Sequence, residues 1–208
     1  EFYNHLFNEK TGKATTILSE DDARRWIVQI LEAIETMQRV GVVHRDISLE
    51  NLMLHGDSDC LVIDMGMALR IPYENVTAEN VNNIVVPEER GERFLIGPLQ
   101  PCGKPQYMSP EIFDSQQPFD GHAVDLWAVG VMLFAMVTGS LPWDMPCSTD
   151  PYYDHICRHG HLEQLCARWN LGLSPQLIDL LQRMLRERPI DRLSLEQIRA
   201  HPWMGGGG

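Results

Sequence analysis

Eight residues, His44-Arg45-Asp46-Ile47-Ser48-Leu49-Glu50-Asn51, carry a carboxylate that can act as a base, an amide that can hold a metal and a guanidinium that can hold an anion. A second carboxylate, Asp64, follows thirteen positions beyond Asn51. Between them the apolar runs Leu52-Met53-Leu54 and Leu61-Val62-Ile63 flank six residues, His55-Gly56-Asp57-Ser58-Asp59-Cys60, that are mostly turn formers, and the pattern predicts a β-hairpin. Pairing Leu54 with Leu61 sets Asn51 opposite Asp64. Directly opposed residues hold their Cβ atoms ~5 Å apart, so both side-chain oxygens reach one ion. Carboxylate and amide oxygens suit a hard cation such as Mg²⁺, which keeps several waters and takes its remaining ligands from a phosphate. The chemistry implied is metal-assisted work on a phosphate.

Other elements must hold these residues in place. Ser19 caps a helix whose apolar positions Ala23, Ile27, Ile30, Leu31, Ile34 and Met37 share one face, with Asp22 where a capping box has its acid and Gly41 closing the far end. That face is core and supports residues 44–51 from below. A second helix, Ala123 to Val137, is apolar all round and therefore central. Its fifteen residues fall short of the ~20 that span a bilayer, and it contains Asp125, an acid that cannot stay buried without partners. A third helix, within Leu177 to Leu185, turns Ile178, Leu181 and Leu185 to one side, and Ser194 caps a last helix that ends at His201-Pro202-Trp203. His155, Cys157, His159, His161 and Cys166 carry metal-ligating atoms, but their spacing spreads them around a helix and no Cys-x₂-Cys supports them, which argues against zinc.

Composition narrows the function classes. The 208 residues suit one domain, large enough to bury ~70% of its unfolded surface. With 17 basic against 29 acidic residues the net charge is −12, which disfavours nucleic acid and anionic membrane as partners and favours basic peptides. Five cysteines without a Cys-x-x-Cys pair, in a sequence without a signal-peptide pattern, fit the cytoplasm or nucleus. Gly205 to Gly208 cannot pack and read as a flexible tail.

Taken in order, His-Arg-Asp-x₄-Asn at 44–51, Asp64-Met65-Gly66 and Ser109-Pro110-Glu111 resemble the signature series of the protein kinases. The resemblance runs from Glu1 to Trp203. It implies a mainly α fold, the kinase C-terminal lobe over residues 1–204, with a small β-hairpin at the active site. It also implies ATP- and Mg²⁺-dependent transfer of a γ-phosphoryl group to serine or threonine hydroxyls of protein substrates. By that likeness Asp46 is the base, Asn51 and Asp64 hold the metal, and Arg45 anchors the segment from Asp64 to Glu111. Glu1, Glu50, Met53 and Ile63 would face the nucleotide, Glu1 at the ribose and Met53 beneath the adenine, and Glu50 would also meet a basic substrate residue. His44 and Asp125 would support the loop, Asp125 by accepting from the backbone of the His-Arg turn, and Arg192 would pair with Glu111. The stretch Ile47-Ser48-Leu49-Glu50 lacks the Ala-Ala-Arg type insertion of tyrosine kinases, and Cys102 to Glu111 with the closing His201-Pro202-Trp203 is similar to calmodulin-dependent-kinase-like enzymes.

The likeness has gaps. No Gly-x-Gly-x-x-Gly loop occurs and the lysines are Lys10, Lys13 and Lys104, so the ATP-covering N-terminal lobe is expected as a missing partner and this piece alone is expected to do little. Met65 stands where the family has Phe, and Ser48 where its serine/threonine members have Lys. The family's Thr, seven residues before the Glu of the Pro-Glu element, is here Lys104. Hydroxyl and ammonium have exchanged places, and Lys104 with Ser48 would restore a cation at the transferred phosphate. The competing reading is a pseudokinase, an interaction scaffold without the reaction, against which stand the retained Asp46, Asn51 and Asp64. Before Ser109 the segment after Asp64 holds few hydroxyls (Tyr73, Thr77, Tyr107) and many acids (Glu74, Glu79, Glu88, Glu89, Glu92). A carboxylate there can pair bidentately with Arg45 in place of a phosphate, so activity is expected to need little phosphorylation.

Overall fold

The computed structural model describes residues 1–56, 58–74 and 93–205. Thr77, Glu79, Glu88, Glu89 and Glu92, on which the substitution of carboxylate for phosphate rests, lie outside the described residues, as do Gly206, Gly207 and Gly208 of the tail. Helix α1 (Phe2–Leu6) leads through a polar turn to α2 (Glu20–Arg39). The Ser19 hydroxyl accepts the Asp22 N–H at 3.1 Å and donates to the Asp22 carboxylate at 2.7 Å, which satisfies one of the orphan donors of the first turn. Ala23, Ile27, Ile30, Leu31 and Ile34 are buried, and Trp26 joins them. Gly41, at φ 68° in the left-handed region that a residue with Cβ resists, turns the chain out of the helix.

The chain then enters β1 (Val42–Val43), the loop at 44–51 and the hairpin of β2 (Leu52–His55) and β3 (Asp59–Val62). Strand β4 (Leu69–Arg70) pairs antiparallel with β1. The hairpin exists, but its register differs by one residue from the pairing expected from the apolar runs: Leu54 faces Cys60, not Leu61. Two things set this. Gly56 takes φ 63°, which lets the strands close on a loop of three residues, and a loop with an odd count shifts the pairing by one. From below, the Gln29 side chain donates to the Ser58 carbonyl at 2.8 Å and accepts the Cys60 N–H at 2.9 Å, so α2 clamps the hairpin tip. A one-residue slip exchanges faces. Met53 and Leu61 consequently share the outer face, 43% and 53% exposed, while Leu52 is fully buried.

Helix α3 (Pro110–Asp114) precedes α4 (Gly121–Thr138), which is capped by the Asp120 carboxylate and stopped by Gly139 at φ 70°. Nearly every residue of α4 is buried, and α2 and α7 pack against it. Helix α5 (Pro151–Tyr153) runs into a π-helical turn at Asp154–Arg158, followed by α6 (Leu162–Trp169), α7 (Pro175–Met184) and α8 (Leu195–Arg199). On α7 the buried face runs through Leu177, Leu180, Leu181 and Met184 and continues to Leu185 beyond the helix, with Ile178 only half-buried at its margin. Ser194 forms a full capping box with Gln197, yet α8 stops at Arg199, earlier than the expected His201-Pro202-Trp203. A 3₁₀ turn at Pro202–Met204 follows, and the Trp203 indole N–H donates to Glu20 at 2.8 Å, joining this turn to the start of α2.

One buried ion pair fixes α3 against the distal helices. Arg192 donates from both terminal nitrogens to the two Glu111 oxygens at 2.7 Å, and its remaining N–H groups reach the carbonyls of Arg186 and Glu187. Its guanidinium lies 4.5 Å over the Trp127 ring. The side chains are 2% and 11% exposed, so removing one partner strands a buried charge. Glu111→Ala is therefore expected to lower the unfolding free energy by about 3–5 kcal/mol, read by urea denaturation. A loss under about 1 kcal/mol would show that Arg192 finds water instead.

Candidate active site

Asp125 lies one turn into α4 and is 3% exposed. Its two oxygens accept the N–H groups of His44 at 2.8 Å and Arg45 at 2.9 Å. Arg45 sits at φ 66°, a conformation that costs a non-glycine residue about 1–3 kcal/mol and persists only where neighbours enforce it. The carboxylate beneath it is that neighbour. Burial pushes the Asp125 carboxyl up to about 7, and the two N–H donors and the Arg45 charge pull the other way.

Above this anchor the His44 ring is fully buried. Nδ1 accepts the Asp46 N–H at 3.3 Å and Nε2 faces the Ile63 carbonyl at 3.1 Å, which assigns the tautomer with hydrogen on Nε2. Burial lowers its pKa and keeps it neutral. His44 thus ties the loop to the strand that delivers Asp64.

The Asp46 side chain is held from two directions. Asn51 Nδ2 donates to the Asp46 carbonyl at 2.7 Å and to Oδ2 at 2.8 Å. Against the other oxygen lies Gly103, where a Cβ would come within 3.0 Å of Oδ1 and 3.1 Å of the Arg45 carbonyl. Only glycine, here at φ 90°, lets the later segment approach so closely. Sequence reasoning passed over Gly103, although a glycine beside the one lysine of that segment is the signal. Lys104 Nζ donates to Ser48 Oγ at 3.0 Å and stands 3.7 Å from Asp46 Oδ1. Ser48 itself is fully buried.

Asn51 and Asp64 do not face each other as a strand pair. Ile63, not Asp64, is level with Asn51, donating its N–H to the Asn51 carbonyl at 2.9 Å. Asp64 comes next at φ 64°, ψ 75°, which turns it out of the ladder, and its Oδ1 accepts the Gly66 N–H at 3.1 Å. A Cβ on Gly66 would stand 3.0 Å from that oxygen, so the third residue of Asp-Met-Gly is small because the backbone folds back on the acid. The sequence could not show that turn. Arg45 Nε donates to the Met67 carbonyl at 2.9 Å, and no ion pair joins it to an acid among the described residues.

The remaining candidates are more scattered. Met53 and Leu61 form an exposed apolar platform, and Ile63 lies half-buried at its inner end. Glu1 is exposed at the start of α1. Glu50 is half-buried, and its Oε2 has no hydrogen-bond partner among the described residues. It lies near Tyr107, whose phenol is pushed up by burial first and by the Glu50 charge second.

The protein kinase domain pattern matches residues 2–204. The chain belongs to the protein kinase family. Among curated kinases it is 33% identical over 190 residues to serine/threonine-protein kinase chk1 of Schizosaccharomyces pombe, covering 90% of this chain and 33% of that protein. It is 34% identical over 188 residues to serine/threonine-protein kinase SIK1 of Rattus norvegicus, 90% of this chain and 20% of that protein. A match of 32% over 200 residues to CBL-interacting protein kinase 11 of Oryza sativa subsp. japonica covers 95% and 34%. The chain thus spans a fifth to a third of the length of these kinases. Its affinity is with the serine/threonine branch.

The Asp125 anchor predicts a pH signature. Its folded pKa, about 7, lies above the ~3.9 of an unfolded Asp, so the folded state binds a proton that the unfolded state lacks between those values. This group's contribution to stability is full below pH ~4 and is lost as pH rises through ~7. Asp125→Asn lacks it. The melting-temperature gap between wild type and Asp125→Asn should therefore widen in favour of wild type as pH falls from 7.5 to 5.5, and a gap that stays constant would contradict this.

Proposed function

We propose that the protein is an ATP- and Mg²⁺-dependent serine/threonine kinase, of which this chain is the C-terminal lobe. The observation that carries the reading is the grip on Asp46: an amide on one oxygen, a lysine beside the other, and a loop fixed beneath by a buried acid. A carboxylate held this way is positioned to accept the proton of a substrate hydroxyl. Catalysis of phosphoryl transfer rests on such positioning and on charge stabilisation more than on covalent chemistry.

The donors present fit a magnesium ion. Asn51 spends its side-chain N–H groups on Asp46, which leaves its side-chain oxygen Oδ1 without a hydrogen bond among the described residues, and the second oxygen of Asp64 is equally uncommitted. Oxygen donors in this small number suit an ion that keeps waters and borrows phosphate oxygens. Bound there, the metal would neutralise charge on the phosphates. Met53 and Leu61 offer a flat apolar floor for a purine, with Ile63 at its inner end and Glu1 toward the ribose. The half-buried Glu50, one oxygen without a hydrogen bond, suits a basic side chain of a protein substrate, in line with the excess of acids in the chain.

A lobe of this kind needs cover over the nucleotide, and none of its residues forms a glycine-rich loop. We therefore expect the lobe alone to transfer little phosphate. The test belongs in the complete kinase with MgATP and histone H1 as a basic acceptor protein. Asp46→Asn should lower the rate by roughly 10²- to 10⁴-fold. Asp64→Asn should abolish Mg²⁺-dependent turnover with little change in melting temperature, since Asn tolerates the left-handed backbone at 64 as Ala does not. Undiminished transfer by Asp64→Asn would overturn the metal assignment, undiminished transfer by Asp46→Asn the base, and a complete wild-type protein that transfers no phosphate would leave the scaffold reading in its place.

A further inference from the structure

The structure assigns Lys104 as the cation that meets the phosphoryl group in flight, delivered from outside the catalytic loop and held by Ser48. This rests on the kinase reading above and deepens it. Lys104 is separated from the loop by more than fifty residues of sequence, yet its ammonium ends 3.0 Å from Ser48 Oγ and 3.7 Å from Asp46 Oδ1. Lys10 and Lys13, the other two lysines of the chain, lie in the exposed turn after α1. A protein with so few lysines has placed one beside its base.

The position is built rather than incidental. Gly103 is pressed against the backbone of Arg45 and the Asp46 carboxylate, where a Cβ would come within 3.1 Å of both and φ is 90°. On the other side the Lys104 carbonyl accepts the N–H groups of Tyr107 at 3.0 Å and Met108 at 3.1 Å, and Tyr107 is buried. Gln106 between them accepts the Trp143 indole N–H at 3.1 Å, against the core. The backbone at 104 is thus fixed on both flanks.

An ammonium has three donors. Ser48 takes one, and because Ser48 is fully buried and Asp46 16% exposed, that contact orients the head group beside the carboxylate. The Lys104 side chain retains 34% exposure, and Asp46 Oδ1 beside it has no hydrogen-bond partner among the described residues, so a substrate hydroxyl that reaches this oxygen comes within range of the ammonium. In the transfer, the hydroxyl oxygen bonds to the γ-phosphorus as the bond from that phosphorus to the bridging oxygen of the diphosphate breaks. The proton passes to the Asp46 carboxylate, and the electron pair of the broken bond leaves with ADP. Lys104 donates to a non-bridging oxygen throughout. A fixed donor of this kind acts most strongly where charge develops, so its loss should fall on kcat more than on KM.

The test uses the complete kinase, with ADP release from MgATP as an acceptor-independent readout and histone H1 as the protein acceptor. Lys104→Met should lower kcat by roughly 10²- to 10³-fold, with KM for ATP changed less than about threefold. Lys104→Arg should keep more activity than Lys104→Met. Ser48→Lys should damage the rate in the presence of Lys104, because two ammonium groups then compete for one place. Combining Ser48→Lys with Lys104→Thr should recover at least about tenfold over Lys104→Thr alone, a coupling that a merely structural lysine would not produce. A kcat for Lys104→Met within about threefold of wild type, or a double variant no faster than Lys104→Thr, overturns the assignment while the kinase reading stands. A wild-type protein inactive in both readouts overturns the two together.

Discussion

Two hydrogen bonds to one buried carboxylate carry the site. Asp125, rising from the largely buried helix α4, accepts the N–H groups of His44 and Arg45. Without it, a buried and a half-buried donor lose their partners, at about 1–3 kcal/mol for the buried one, and the left-handed conformation of Arg45 loses its support. Everything that grips Asp46 is positioned downstream of that turn: the His44 ring that reaches Ile63, the Asn51 amide on Oδ2, and the strand that brings Asp64 past the loop. The most apolar helix of the chain thus carries a single acid, and that acid holds the polar site to the hydrophobic core.

The segment from Arg93 to Glu111 is held at both ends by a different logic. Near its start Arg93 pairs with Asp120 at the head of α4, and at its end Glu111 is locked by Arg192. Between them Gly103 lies against Arg45 and Asp46. Sequence distance counts for little here: the lysine beside Asp46 and the acid beneath the loop come from separate stretches, and both are placed by α4 and its neighbours.

Much of this was legible in the residues. The amphipathic α2, the wholly apolar α4, the hairpin and the caps at Ser19 and Ser194 follow from patterns local to a few turns. Asp125 stood out because an acid in such a helix must have partners. The register did not, because it depends on Gln29 reaching from another element and on a left-handed glycine, neither of which shows in the alternation of apolar residues. The Asp64 turn and the close approach at Gly103 were hidden for the same reason: they are set by tertiary contact with backbone atoms. The exchange of Ser48 and Lys104 could be posed from sequence, but only the distance between their side chains gives it physical content.

Amide hydrogen exchange at His44 and Arg45 tests this account most directly. If Asp125 holds the loop, both amides exchange in the slowest class of the lobe, with the central residues of α4, and Asp125→Ala speeds both far more than the amides of α2. Exchange at His44 and Arg45 in the wild-type protein as fast as in an exposed loop would contradict it.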